Sequence, residues 1–124
     1  MAAYLYLNAA LYALFALWCT LAPGPTAGAI GYTTLTAGGR SEYLVVYGGL
    51  ELGLAIAFWM LARNPAWNRA GLVVAAALYA PIVAYRAVTL VRYWPVGPVT
   101  LGTAVLEIAL LAAALVLLRS ATPA

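Results

Sequence analysis

The sequence predicts an all-α membrane protein in which four transmembrane helices form an antiparallel bundle. Of its 124 residues, 67% are hydrophobic and 7% are charged, whereas soluble domains carry about 25% charged residues. The mean hydropathy is +0.99. The apolar residues group into four stretches of about 20 residues, a length that crosses a hydrocarbon core of roughly 30 Å. We place the spans at about 3–22, 42–62, 68–92 and 98–119, so that residues 1–124 form a single integral membrane domain.

The first predicted helix, residues 3–22, ends before Pro23-Gly24-Pro25, because proline cannot continue a helix interior. A cleaved signal peptide is the alternative. However, no positively charged region precedes the apolar run, which is longer than the usual 7–15 residues. We therefore expect a retained span. The connection that follows, residues 26–40, shows no clear period. It predicts either a short interfacial helix or a segment that dips inward.

The second predicted helix, residues 42–62, follows the pair Gly38-Gly39, with Ser41 as its N-cap. It stops before Pro65. The third helix, residues 68–92, contains Pro81, which removes one backbone hydrogen bond and predicts a kink. The fourth helix, residues 98–119, follows a turn with the sequence WPVGP.

Orientation follows from the arginines in the short loops. An even number of spans places both termini and the loop between the second and third helices on one side. That side carries Arg63, Arg69 and Arg119, and the other carries Arg40 and Arg92. The excess predicts cytoplasmic termini, with a dual topology as the alternative.

The composition excludes several classes of site. The chain has no His and one Cys, so the usual soft-metal ligand sets cannot be assembled and we predict no metal site. Cys19 is predicted to be a small buried hydrophobic residue rather than a redox group. Without His or Lys, an activated nucleophile would depend on carboxylates and tyrosines. We therefore expect no enzyme and assign no catalytic residue. The net charge of +3 is spread over loop ends and does not indicate nucleic acid binding.

Three charged residues lie inside predicted spans: Glu51, Arg86 and Glu107. A charge at the bilayer centre costs at least about 2.5–3.5 kcal/mol, so such residues need a partner or a function. The start of the second helix, the end of the third and the start of the fourth share one membrane face. Counted from that face, the three residues lie at depths of roughly 15, 9 and 14 Å. We expect them to meet in one buried layer.

Three further residues complete the predicted binding site. At 100° per residue, Tyr79 shares the helical face of Arg86, and Thr103 shares the face of Glu107. Tyr47 precedes Glu51 by about one turn. Asn8 lies on a semi-polar stripe of the first helix, so the bundle interior is predicted to be polar and rich in tyrosine.

The charged layer has two interpretations, and the sequence leaves both open. Arg86 can neutralise the carboxylates and fix the helix register, as polar groups do between membrane helices. Alternatively, the layer keeps one negative charge if all three groups are ionised. It could then bind a polar head group or a cation, or exchange a proton.

Small residues form a second feature of the second helix. Gly49, Gly53 and Ala57 follow a small-xxx-small pattern, which lets another helix approach closely. Glu51 lies about 160° from this stripe. The stripe is therefore predicted to pack on a neighbour within the bundle or on a second subunit. Gly48 lies nearer Glu51 and is expected to open space beside it.

The stretch YGGLELGL resembles a motif of the domain-of-unknown-function four-three-four-five family of small bacterial membrane proteins. Glu42 and Tyr43 ahead of the motif, Arg86 late in the third helix and Glu107 in TAVLEIALL support the resemblance. It implies a four-helix protein of the bacterial inner membrane and no particular activity. It also implies a loose similarity to DoxX-like membrane proteins, some of which accompany quinone-linked oxidoreductases.

Two functional hypotheses follow. In the first, the protein binds a lipid, quinone or other amphiphile at Glu51, Arg86 and Glu107, or serves as an accessory subunit of a membrane complex. Its partners would be membrane lipids and either a second copy or another subunit on the Gly49 face. No other cofactor is expected. In the second, the protein is a small proton-linked transporter that uses Glu51 or Glu107. Small multidrug exporters, however, carry their essential glutamate in helix one, where this chain has Asn8.

Overall fold

A computed structural model describes residues 1–121; the last three residues of the predicted domain lie outside this range. Five helices and no strand form this part of the chain, and four of the helices are long and apolar enough to cross a membrane. The all-α membrane class is therefore confirmed. The helices are α1 (Ala2–Leu21), α2 (Pro23–Ala29), α3 (Ala37–Arg63), α4 (Asn68–Arg92) and α5 (Pro98–Ser120).

The long connection after α1 contains the short helix α2. Proline ends α1 as predicted, but Pro23 also starts α2, because the first helical turn tolerates a proline that has no N–H group. Thr26 and Ala27 of α2 are buried. Gly31 follows with a φ of 109°, which glycine adopts easily. The connection thus packs on one end of the bundle.

The second span begins five residues earlier than predicted, at Ala37, and Ser41 is not its N-cap. Thr36 Oγ1 instead accepts a hydrogen bond of 3.1 Å from the backbone N–H of Gly39. The prediction was wrong because Gly38 and Gly39 were interpreted as a break. They occupy the first helical turn, where a capping side chain satisfies a free N–H group.

A π-helical segment, Leu44–Leu50, interrupts the α-helical geometry of α3 directly before Glu51. Such segments are rare and occur frequently at functional sites. Its wider turn changes the direction of the side chains that follow, so angles counted at 100° per residue do not hold through it. Within the segment Gly48 is buried, and a Cβ atom there would lie 2.8 Å from Thr20 Oγ1. Gly48 thus permits close approach of α1 rather than opening space beside Glu51.

The third and fourth spans match their predicted ranges closely. The helix α4 continues through Pro81, and the kink expected there stays a prediction. The turn before α4 is held by Asn68, whose Nδ2 lies 2.9 Å from Leu61 O, 3.2 Å from Ala62 O and 3.1 Å from Asn64 O. The side chain therefore satisfies carbonyl groups that the end of α3 leaves free.

The bundle consists of two helix pairs that share one core: α1 packs along α3, and α4 packs along α5. The largest buried cluster contains residues of all four spans: Tyr4, Leu5, Ala9, Phe58, Ala62, Leu72, Ala75, Tyr79, Leu110 and Ala114. This cluster lies toward the membrane face that carries the N-terminus of α1 and the C-terminus of α5. The outward helix faces expose large apolar side chains such as Leu14, Ile56 and Val105, as lipid-facing surfaces do.

Candidate ligand-binding site

Arg86 of α4 and Glu107 of α5 form the predicted ion pair. The contact is bidentate: Arg86 Nε donates to Glu107 Oε2 at 2.8 Å, and Arg86 Nη2 donates to Glu107 Oε1 at 2.7 Å. Paired donors of this kind match the planar geometry of a carboxylate. The two side chains are 28% and 14% exposed. The prediction of a buried charge layer was therefore wrong, because this pair lies at the edge of a cavity rather than in the core.

Glu51 does not join the ion pair. Its Oε2 atom is buried and has no hydrogen-bond partner among residues 1–121. One physical reason is that Arg86 already directs its Nε and Nη2 groups to Glu107. A second is the π-helical segment before Glu51, which a uniform helical count does not include. Counting depth along the helices correctly predicted that Arg86 contacts Glu107. Counting angles around the helices did not predict that Glu51 lies apart from this pair.

Arg86 and Glu51 line two different but neighbouring cavities. The first, which we call the arginine cavity, has a volume of about 300 Å³ and is lined by Ile30, Gly31, Tyr32, Tyr47, Arg86, Thr100 and Thr103. The second, the glutamate cavity, has a volume of about 130 Å³ and is lined by Phe15, Trp18, Cys19, Thr26, Ala29, Ile30, Tyr43, Tyr47, Glu51, Val99 and Thr103. Ile30, Tyr47 and Thr103 line both cavities. The predicted site residues Tyr47 and Thr103 therefore stand between Glu51 and Arg86.

The glutamate cavity has a fixed wall formed by α1, α2 and the start of α3. Tyr43 donates a hydrogen bond of 2.8 Å to Thr26 Oγ1, and Thr26 Oγ1 donates one of 2.7 Å to Ala22 O. Cys19 is buried, as predicted, and its Sγ atom lies 3.6 Å from the Tyr43 hydroxyl. The rings of Tyr43 and Tyr47 stack with centroids 4.6 Å apart. These contacts fix the aromatic side chains around Glu51.

Tyr79 takes part in a different polar network, deeper in the bundle. Its hydroxyl donates a hydrogen bond of 2.6 Å to Asn8 Oδ1, and Asn8 Nδ2 donates one of 2.8 Å to Tyr4 O. The Tyr4 hydroxyl in turn donates to Leu110 O at 2.8 Å. Tyr79 also lines a cavity of about 80 Å³ together with Glu107. The network links α1, α4 and α5, and its residues Tyr4 and Tyr79 belong to the main buried cluster.

The small-residue stripe lies on the outside of the described chain. Gly49, Gly53 and Ala57 are exposed, and a Cβ atom at either glycine would meet nothing within 4 Å. The neighbour that the stripe was expected to contact is therefore not another helix of the same bundle. Its role in packing on a second molecule stays a prediction.

The residues contributed by α2 and its loop were missed by sequence reasoning. Thr26, Ala29 and Ile30 line the glutamate cavity, yet residues 26–40 show no period that assigns them a face. Pro23 and Pro25 were the available signal, since proline at the first turn of a helix is common. That signal was interpreted only as the end of α1.

Comparisons of the chain with protein families, with characterised proteins and with solved structures find no match. The resemblance to the domain-of-unknown-function four-three-four-five family thus stays a prediction.

Proposed function

We propose that the protein binds a membrane amphiphile, such as a lipid or a quinone, whose polar group enters the glutamate and arginine cavities. The observation that carries this proposal is the buried Oε2 atom of Glu51, which lines a cavity without a hydrogen-bond partner. A buried polar atom without a partner costs about 1–3 kcal/mol. A ligand that complements Glu51, by donating a hydrogen bond or by placing a positive charge beside it, recovers this free energy, and the fold itself does not.

The lining of the two cavities suits an amphiphile. Phe15, Trp18 and Ile30 offer apolar surface, while Glu51 and Arg86 offer one charged group in each cavity. Ligand sites in proteins typically combine an apolar lining with a few fixed polar groups. Because the helices also face lipid, a ligand chain can remain in the bilayer while its polar group occupies the site.

The position of the cavities supports the same proposal. They lie toward the membrane face where α3 and α5 begin, and the tightly packed core lies toward the opposite face. The two cavities and the main core therefore occupy different ends of the bundle. The nearby π-helical segment is consistent with a binding site, since such segments occur frequently at functional positions.

A proton-linked transporter is the second candidate. Glu107 is held by Arg86, so the group that exchanges a proton with the substrate would be Glu51. Transport requires the cavities to open alternately to both faces of the membrane. A flux driven by a proton gradient in proteoliposomes, lost in Glu51→Gln, would favour transport over binding alone.

The proposal also includes the location, the orientation and the partners of the protein. We place the protein in the bacterial inner membrane with both termini in the cytoplasm, on the resemblance and on the arginine distribution. The exposed face of Gly49, Gly53 and Ala57 would contact a second copy or another subunit of a membrane complex. In this arrangement α3 presents Glu51 to the ligand and the small-residue stripe to the partner.

Copurification tests the proposal. We expect the wild-type protein, extracted from native membranes in a maltoside detergent and washed extensively, to retain about one amphiphile per chain when analysed by mass spectrometry. Glu51→Gln should retain several-fold less, because the carboxylate that holds the polar group is gone. Glu42→Gln is the matched control, since Glu42 is an exposed carboxylate on the same helix.

The control must retain the same amount of amphiphile as the wild type, and all three proteins must show similar thermal unfolding. If no amphiphile stays bound above bulk lipid, or if Glu51→Gln retains as much as the wild type, the cavities are not the binding site.

A further inference from the structure

Of the two charged residues that line the cavities, Arg86 has an oppositely charged partner, whereas Glu51 has none within residues 1–121. The bidentate contact with Glu107 neutralises Arg86. Arg40 is the nearest arginine along α3 before Glu51, and it lies about three helical turns away. No ion pair involves Glu51 within residues 1–121, and its Oε2 atom has no hydrogen-bond partner. The glutamate cavity thus contains a carboxylate for which the described chain supplies no cation.

Three hydroxyl groups in the cavity wall do not fill this role, because their hydrogens are already donated. Tyr43 donates to Thr26 Oγ1, Thr26 to Ala22 O, and Thr103 to Val99 O at 2.9 Å. Because Glu51 Oε2 has no hydrogen-bond partner within residues 1–121, a complementary group can enter with the ligand. A nearby positive charge stabilises an ionised carboxylate in an apolar setting.

The aromatic side chains that line the glutamate cavity favour one class of cation over others. Phe15, Trp18, Tyr43 and Tyr47 line the same cavity as Glu51. Aromatic rings attract ammonium groups through their π-electrons, and cages of such rings recognise quaternary ammonium ligands. A primary ammonium carries three N–H groups that each require an acceptor, and the rings of Phe15 and Trp18 offer none. A methylated ammonium makes no such demand.

We infer that the ligand is an amphiphile with a methylated ammonium head group, which binds between the Glu51 carboxylate and the surrounding aromatic side chains. This inference rests on the proposed function and specifies its ligand class. The head group occupies the glutamate cavity, and its alkyl chain extends into the bilayer. Tyr47 and Thr103 line both cavities, and the head group stays on the Glu51 side of these two residues.

Three probes of equal chain length test the ligand class: dodecyltrimethylammonium, dodecylammonium and dodecanol. Binding is followed by native mass spectrometry of the purified protein in maltoside micelles, over a concentration series of each probe. We expect dodecyltrimethylammonium to bind most tightly to the wild type and to Glu42→Gln. Glu51→Gln should weaken its binding at least about tenfold, because a desolvated charge pair is lost, and should hardly affect dodecanol.

A second variant tests the aromatic part of the site. Trp18→Leu keeps an apolar side chain but removes a ring, and should weaken dodecyltrimethylammonium several-fold relative to dodecanol. Trp59→Leu is the matched control, because Trp59 is exposed on α3 and does not line the glutamate cavity. Equal binding of the methylated probe to Trp18→Leu and Trp59→Leu would contradict the aromatic contribution.

The outcomes separate this inference from the proposed function. Tighter binding of dodecylammonium than of the methylated probe would overturn the methylated class. Tight, Glu51-dependent binding of dodecanol without binding of either ammonium probe would overturn a cationic ligand and leave amphiphile binding intact. If no probe binds in a way that depends on Glu51, both the inference and the proposed function are wrong.

Discussion

Replacing Arg86 with glutamine is expected to lower the free energy of unfolding by about 2.5–3.5 kcal/mol, the cost of an uncompensated charge within a membrane span. The bidentate contact is the only ion pair within residues 1–121. Its loss leaves the Glu107 carboxylate charged beside an apolar interior. Unfolding in mixed micelles with increasing sodium dodecyl sulfate, followed by tryptophan fluorescence, measures this change.

The matched control is Arg69→Gln, since Arg69 is exposed at the start of α4. It should change the unfolding free energy by less than about 0.5 kcal/mol. The double variant Arg86→Gln with Glu107→Gln should recover most of the loss, because neither charge then lacks a partner. Additive effects of the two single changes would show that the pair contributes nothing as a pair.

Replacing Gly71 with valine is expected to destabilise the bundle by about 1–3 kcal/mol through overpacking. A Cβ atom at Gly71 would lie 2.7 Å from Leu5 Cδ1 and 3.2 Å from Leu61 Cβ. Leu5 is fully buried, so its side chain has no free space into which it can move. The same detergent titration measures the loss.

Gly49→Val and Gly53→Val are matched controls on the same bundle, because a Cβ atom at either position meets no neighbour within 4 Å. Neither should lower the stability of an isolated chain. Should they lower it as much as Gly71→Val does, the close contact of α1, α3 and α4 at Gly71 would not be the cause. A change in oligomeric state without a loss of stability would instead identify the Gly49 face as an interface between chains.

The two ends of the bundle have different physical characters. Toward the termini, side chains of all four spans fill the core, and Gly71 allows the helices to approach closely. Toward the other end, the Arg86–Glu107 pair is partly exposed and Glu51 lacks a partner. In our proposal, stability is therefore concentrated in one half of the protein and ligand binding in the other. This division accounts for a buried carboxylate that the fold does not satisfy.

Hydrophobic stretches predicted the spans because segments of about 20 apolar residues have few alternatives to a membrane helix. Depth counting also predicted the contact between Arg86 and Glu107, since rise per residue is nearly constant in an α-helix. Angular counting did not place Glu51, because the π-helical segment Leu44–Leu50 changes the turn before it. Its sequence, LVVYGGL, contains no pattern specific enough to predict a π-helix.

The role of the glycines illustrates a second limit. Gly49 and Gly53 match a known packing pattern, yet the close helix contacts within the chain occur at Gly48 and Gly71. A spacing rule describes one helix face and does not specify which neighbour lies on that face. The contacts of α2 escaped prediction for a related reason, because a seven-residue helix is too short to show a reliable period.

A high-resolution map of the protein extracted with its native lipids tests the central claim most directly. We expect a non-protein molecule in the glutamate cavity, with a polar or cationic group beside Glu51 Oε2 and an alkyl chain that extends toward the bilayer. Arg86 should remain bound to Glu107. An empty or collapsed cavity in which Glu51 turns to join Arg86 and Glu107 would contradict the claim that this carboxylate is kept for a ligand.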